Sequence, residues 1–137
     1  HWDQCVITYA LDLKKRDRKA FRFAKRKLTG VTGIVFRKSS DGEVVVRYDD
    51  LPANYLGYTN WWGIPIFQAE VRLSKDYTKS ATRGDRRHLM MHEFGHVLGL
   101  DHNYKNSKHV MYAWHTDKTE WSKQDKRKLR RHSVCEP

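Results

Sequence analysis

The chain lacks any apolar run long enough to cross a membrane, and it lacks internal repeats and low-complexity tracts beyond a few basic runs. A spanning helix needs about 20 consecutive apolar residues, so the first absence argues against a transmembrane protein. No signal peptide is visible, and a strand-like segment begins almost directly after His1, so the chain reads as a mature or trimmed form. With 137 residues it is expected to fold as one domain, residues 1–137, around a real core, and as a monomer. Acidic residues are also short: 16 Asp and Glu stand against 27 Lys and Arg, for a formal net charge of +11. Such a balance favours anionic partners, whether a surface or a polymer, without choosing among them. Only two cysteines are present, Cys5 and Cys135, one near each end. They read either as two unrelated buried thiols or, the preferred reading, as a disulfide tying the termini, which suggests an oxidising, secreted or extracellular setting.

What the chain does have is a concentration of histidine between His88 and His102. His92-Glu93-Phe94-Gly95-His96-Val97-Leu98-Gly99-Leu100-Asp101-His102 contains H-E-x-x-H extended by x-x-G-x-x-H. Each helical residue turns about 100°, so His92 and His96 share one face, about 6 Å apart along the axis, and can converge on one ion. His88 extends the stripe, but it lies about 12 Å from His96 by helical rise, too far to share an ion with bonds of roughly 2 Å. The third ligand must therefore come from beyond the helix. Gly99 tolerates the left-handed conformation that ends a helix, and the turn after it can swing His102 round to the metal. Three neutral imidazoles leave a fourth tetrahedral position open, the mark of a catalytic rather than a structural zinc site. Glu93, one residue past the first ligand, can stand beside the metal as a base.

These eleven residues resemble the zinc signature of the metzincin metallopeptidases, which also carry a methionine-bearing turn after the third histidine. Val110-Met111-Tyr112 looks like that turn. Within the metzincins the chain is most similar to the matrixins, the matrix-metalloproteinase-like group, whose motif reads H-E-x-G-H-x-x-G-x-x-H. Asn103 stands where Ser usually follows the third histidine, and the Gly-rich loop that binds a second zinc and calcium in animal matrixins is missing. The resemblance implies a zinc-dependent endopeptidase acting on protein or peptide, with one catalytic zinc on His92, His96 and His102 and Glu93 as general base; a calcium requirement stays open. It implies an α+β fold: a twisted, mostly parallel sheet with an antiparallel edge strand, a backing helix, an active-site helix and a C-terminal helix. It also implies that Phe67–Val71, with Ala69 at its centre, is the edge strand that pairs with substrate backbone, and that the segment with Tyr112 and Trp114 walls the pocket for the residue after the cut bond. Asp125 matches an acid that supports the Met-turn.

The remainder agrees in the order of its elements. Val6–Leu11 reads as a strand. Ala20, Phe21, Ala24 and Leu28 recur at helical spacing in a basic segment from Asp12, with a stop near Gly30. Gly33–Arg37 and Glu43–Tyr48 read as strands, 49–63 as an aromatic loop, and Ile64–Leu73 as a fourth strand with Pro65 at its edge. Ser74–Ala81 reads as a polar connection. Thr82 and Asp85 form a capping box for the motif helix, and Ser122 caps a last helix to about Arg131. His109 and His115 are spare imidazoles. No Ser or Cys stands in an activating setting, so a covalent intermediate is not expected. The competing reading is a cationic binding module for anionic polymers, with zinc only holding the fold.

Overall fold

The computed structural model describes all residues, 1–137. The chain runs β1 (Val6–Asp12), α1 (Lys15–Thr32), β2 (Val35–Lys38), β3 (Val44–Asp49), β4 (Gly57–Trp62), β5 (Gln68–Ser74), α2 (Lys75–Ser80), α3 (Arg83–Val97) and α4 (Lys123–Arg131). The five strands form one sheet in the order β2-β1-β3-β5-β4. β1 pairs parallel with β2 and β3, β3 pairs parallel with β5, and β4 alone is antiparallel, on β5.

The sheet is apolar on one face. Val44 and Val46 of β3 and Ala69, Val71 and Leu73 of β5 are buried, as strict alternation along a pleated strand requires. The intervening residues build a half-exposed ion network on the other face: Arg47 and Arg72 each reach both Glu70 and Asp49. α1 and α3 pack against each other, and α1 brings Ala20, Phe21, Ala24 and Leu28 to the core, the stripe its spacing predicts. Phe94 of α3 lies edge-on to Phe21 of α1 at 5.2 Å and to Phe36 of β2 at 5.8 Å. The variable residue of the H-E-x-x-H core is thus the plug that fixes the helix on the sheet.

Several boundaries differ from the sequence reading. α1 runs through Gly30 and stops at Gly33, whose φ of 75° supplies the left-handed cap. The aromatic loop contains a strand, β4. Gly57 and Asn60 interrupt its β pattern in sequence, but its backbone pairs with β5 from Gly57↔Leu73 to Trp62↔Gln68. The edge strand next to α3 is therefore β4, and β5 is an interior strand. This corrects the expectation for Ala69. Its backbone is flanked by Val44 and Trp61, and its side chain is buried, so it has no free ladder groups for a substrate. The polar connection 74–81 holds a short helix, α2, capped by the Ser74 hydroxyl accepting from the Tyr77 N–H. Cys5 and Cys135 are bonded, with Cα atoms 5.6 Å apart across a sequence separation of 130. No helix is long and apolar enough to cross a membrane.

Candidate metal centre

α3 starts with the full capping box: Thr82 Oγ1 accepts from the Asp85 N–H at 3.1 Å, and the Asp85 carboxylate accepts from the Thr82 N–H at 3.1 Å. The helix ends just before Gly99, whose φ is 100°. The Leu100 N–H folds back to the Gly95 carbonyl at 3.0 Å, and the chain then carries His102 toward the helix. His92, His96 and His102 meet there. Their Nε2 atoms lie 3.1 Å apart for His92–His102 and 3.2 Å for His96–His92.

The donor set fits a tetrahedral cation. Two Zn–N bonds of about 2.05 Å at a tetrahedral angle place the nitrogens about 3.3 Å apart. The tautomers agree. His92 Nδ1–H donates to the Val110 carbonyl at 2.8 Å and His96 Nδ1–H to the Leu100 carbonyl at 2.7 Å. A carbonyl only accepts, so in the neutral ring each Nε2 presents a lone pair to the centre. Burial, then mutual repulsion, holds His92 down to about 3; burial also lowers His96 and His102. His92 and His96 therefore turn lone pairs towards His102 Nε2, and a cation at the centre would satisfy all three donors. His88 is placed elsewhere. It is buried, its Nδ1–H donates to the Lys118 carbonyl at 2.6 Å, and it stands outside the triad, as the distance argument requires.

Met111 is buried beneath the site, and Gly95 explains how. A Cβ on Gly95 would lie 2.3 Å from Met111 Sδ, so only glycine lets the turn pack against α3. The turn is held from both sides. Asn103 N–H donates to the Met111 carbonyl at 2.7 Å, and Asp125 of α4 accepts from the Val110 N–H at 2.8 Å. The Val110 carbonyl in turn orients His92, so α4 reaches a donor of the triad through a single residue, Val110.

Glu93 is buried, and burial pushes its carboxyl up to about 7 against the lowering effect of a hydrogen bond from Thr59. Thr59 Oγ1 donates to Glu93 Oε1 at 2.7 Å. A Cβ on Gly57 would lie 2.9 Å from Glu93 Cγ and Cδ, so β4 can lie this close only with glycine there. Gly57 and Thr59 are the residues that sequence reasoning missed. They sat inside a stretch read as loop.

The triad and Glu93 open into a cleft of about 660 Å³ along β4. Tyr58, Thr59 and Trp61 line one side, Ala113, Trp114 and His115 another. Tyr112 stands behind Trp114, with its ring 5.4 Å from that of Trp114, and Ala113, Trp114 and His115 are the residues of this segment that line the cleft. His115 is held by Asp85 at 3.0 Å and Tyr77 at 3.2 Å. His109 is buried against the Ser122 hydroxyl at 2.6 Å, part of the α4 cap rather than the cleft.

A mostly parallel sheet with one antiparallel edge, an active-site helix, and a histidine triad above a methionine turn together define a metzincin. The sequence matches the family model for matrixins over residues 1–131, and the chain belongs to that family. It is also similar to nigrelysin of Anthopleura nigrescens, at 32% identity over 63 residues, covering 42% of this chain and 29% of that protein. The matched segment therefore spans under a third of that relative's length. Membership in the matrixins implies zinc binding and the chemistry of a metalloprotease.

Proposed function

We propose that the protein is a zinc-dependent endopeptidase in which His92, His96 and His102 hold one zinc ion and Glu93 is the general base. The observation that carries this reading is the pair of facts at one point in space: three imidazole Nε2 atoms converge at the spacing a tetrahedral cation requires, and a buried carboxyl raised to about 7 stands on the residue next to the first of them.

Bound zinc supplies Lewis acidity, lowering the pKa of a water towards about 7 and polarising a carbonyl. The chain's own groups do the rest. Glu93 accepts the proton as water attacks the scissile carbonyl, then delivers it to the leaving amine. Thr59 holds Oε1 and so directs the other carboxylate oxygen. The β4 edge, exposed beside the cleft, pairs with an extended substrate by strand addition, the role the sequence reading gave to Phe67–Val71. Trp114 and His115 flank the pocket for the residue following the cut bond. Both cysteines are committed to the disulfide, and the Ser122–His109 pair is a helix cap outside the cleft, so neither supplies a nucleophile there. One chain supplies every group, and the enzyme acts as a monomer in an extracellular setting that the disulfide fits. A purely structural zinc site has no use for a buried base, which sets aside the binding-module reading.

The test is cleavage of a mixed peptide library by the zinc-loaded protein, with and without chelator. Internal cuts that chelator abolishes and zinc restores are expected. Absence of cuts by protein with stoichiometric zinc would contradict the reading.

A further inference from the structure

A second concave site lies away from the zinc cleft, between the first turns of α1 and α3. It encloses about 370 Å³ and is lined by Arg16, Lys19 and Ala20 of α1 and Arg83, Arg86 and Arg87 of α3. Five of its six lining residues are cations. Of these only Arg86 meets a carboxylate, Asp17 at 3.5 Å; Arg16, Lys19, Arg83 and Arg87 make no ion pair.

Arg86 is what distinguishes this groove from a solvated basic face. Its side chain is only 8% exposed and forms the floor of the groove: its Nε faces the buried Asp17 carboxylate at 3.5 Å, and its other arm donates to the Thr78 carbonyl at 3.1 Å, which leaves the four cations around it unpaired. The crowding continues along α1. Arg87 lies over the Phe23 ring at 4.1 Å and has its pKa lowered, first by burial and then by Arg83 and Arg26. From Arg16 to Arg26 the row of cations extends roughly 15 Å by helical rise. Arg16, Lys19, Arg83 and Arg87, unpaired and this close together, would be compensated by an anion that brings several oxyanion groups at once.

We propose that the α1–α3 groove is a binding site for a linear sulfated polysaccharide, separate from the peptidase cleft. Sulfate groups seat in the groove against Arg83, Arg86, Arg87 and Lys19, and the chain continues along α1 towards Arg26. The length of the row suits several sugar units rather than a single ion. The Cys5–Cys135 disulfide fits a compartment where sulfated glycans, rather than nucleic acids, are the common polyanions. The groove would hold the enzyme on such a matrix while leaving the cleft free.

The experiment uses the zinc-loaded full chain and a heparin-derived oligosaccharide of defined length, titrated calorimetrically over a range of salt concentrations. Two charge-matched variants are compared: Lys19→Glu/Arg83→Glu in the groove, and Arg127→Glu/Arg130→Glu on α4, all at exposed positions. The groove variant is expected to bind roughly tenfold more weakly or worse, with the salt slope smaller by about two. The α4 variant is expected to bind nearly as wild type, and the desulfated oligosaccharide not at all. Cleavage of an uncharged peptide by the groove variant should be unchanged, which also reports that it folds. Equal losses in both double variants would reduce the effect to net charge and overturn the site. A single-stranded oligonucleotide of equal charge that binds more tightly through the same residues would overturn the ligand class.

Discussion

Two glycines and a threonine decide whether the centre is competent. Gly95 has no room for a methyl group, since its Cβ would fall 2.3 Å from Met111 Sδ. Gly95→Ala should therefore destabilise the protein by about 1–3 kcal/mol and weaken zinc binding as the turn is displaced, measured by thermal unfolding and zinc titration. An unchanged melting temperature would contradict the packing. Thr59 lowers the Glu93 pKa by donating to it. Removing that donor in Thr59→Val lets the pKa rise, so the acid limb of kcat/KM should move to higher pH with zinc content unchanged. A limb that stays in place, or moves to lower pH, contradicts the role given to Thr59. Among the histidines, His102→Ala should release zinc and His88→Ala should retain it, because only His102 faces the other two Nε2 atoms. Equal loss of zinc in both would overturn the choice of third donor.

At the scale of elements, α4 supports the site without touching it. Asp125→Ala removes the acceptor of the buried Val110 N–H, and Val110 is the residue whose carbonyl accepts from His92 Nδ1–H. The expected cost is about 1–3 kcal/mol in stability with a parallel loss of zinc affinity, and both are read from one zinc-dependent unfolding series. What the sequence made legible follows the same division. The motif helix, its capping box, the left-handed exit at Gly99 and the buried stripe of α1 were readable because local chemistry and helical period both specify them. β4 was not. An edge strand beside a cleft carries Gly57 for close approach, Asn60 in its ladder and aromatics on its exposed side, so its pattern reads as loop. Only its pairing with β5 makes it a strand. Placing the edge one strand too late in the chain then misassigned Ala69.

For the whole molecule, charge and covalent closure set the conditions of use. In the metal-free protein the depressed triad pKa values, about 3 for His92, contribute stability that is present above about 6.5 and lost as pH falls. Glu93 works in the opposite sense. Its folded pKa of about 7 exceeds its unfolded value of 4.5, so its contribution is full below 4.5 and lost as pH rises through 7, about 3 kcal/mol in order of magnitude. A cation at the triad attracts the Glu93 carboxylate and relieves this loss, while fewer protons compete for the imidazoles. The gain in melting temperature on adding zinc should therefore grow between pH 5 and pH 8, and a gain independent of pH would contradict the placement of Glu93. The disulfide closes nearly the whole chain, so Cys5→Ser/Cys135→Ser should lower stability by about 2–5 kcal/mol while folded protein keeps its turnover. Loss of turnover in the folded fraction would assign the bond a role at the site that the geometry does not.

The central claim is that a histidine triad holds zinc while Glu93 moves the proton. It is tested most directly by measuring zinc content and peptide turnover together in Glu93→Ala. The account predicts one zinc per chain and turnover reduced to near background. Stoichiometric zinc with turnover retained would contradict it.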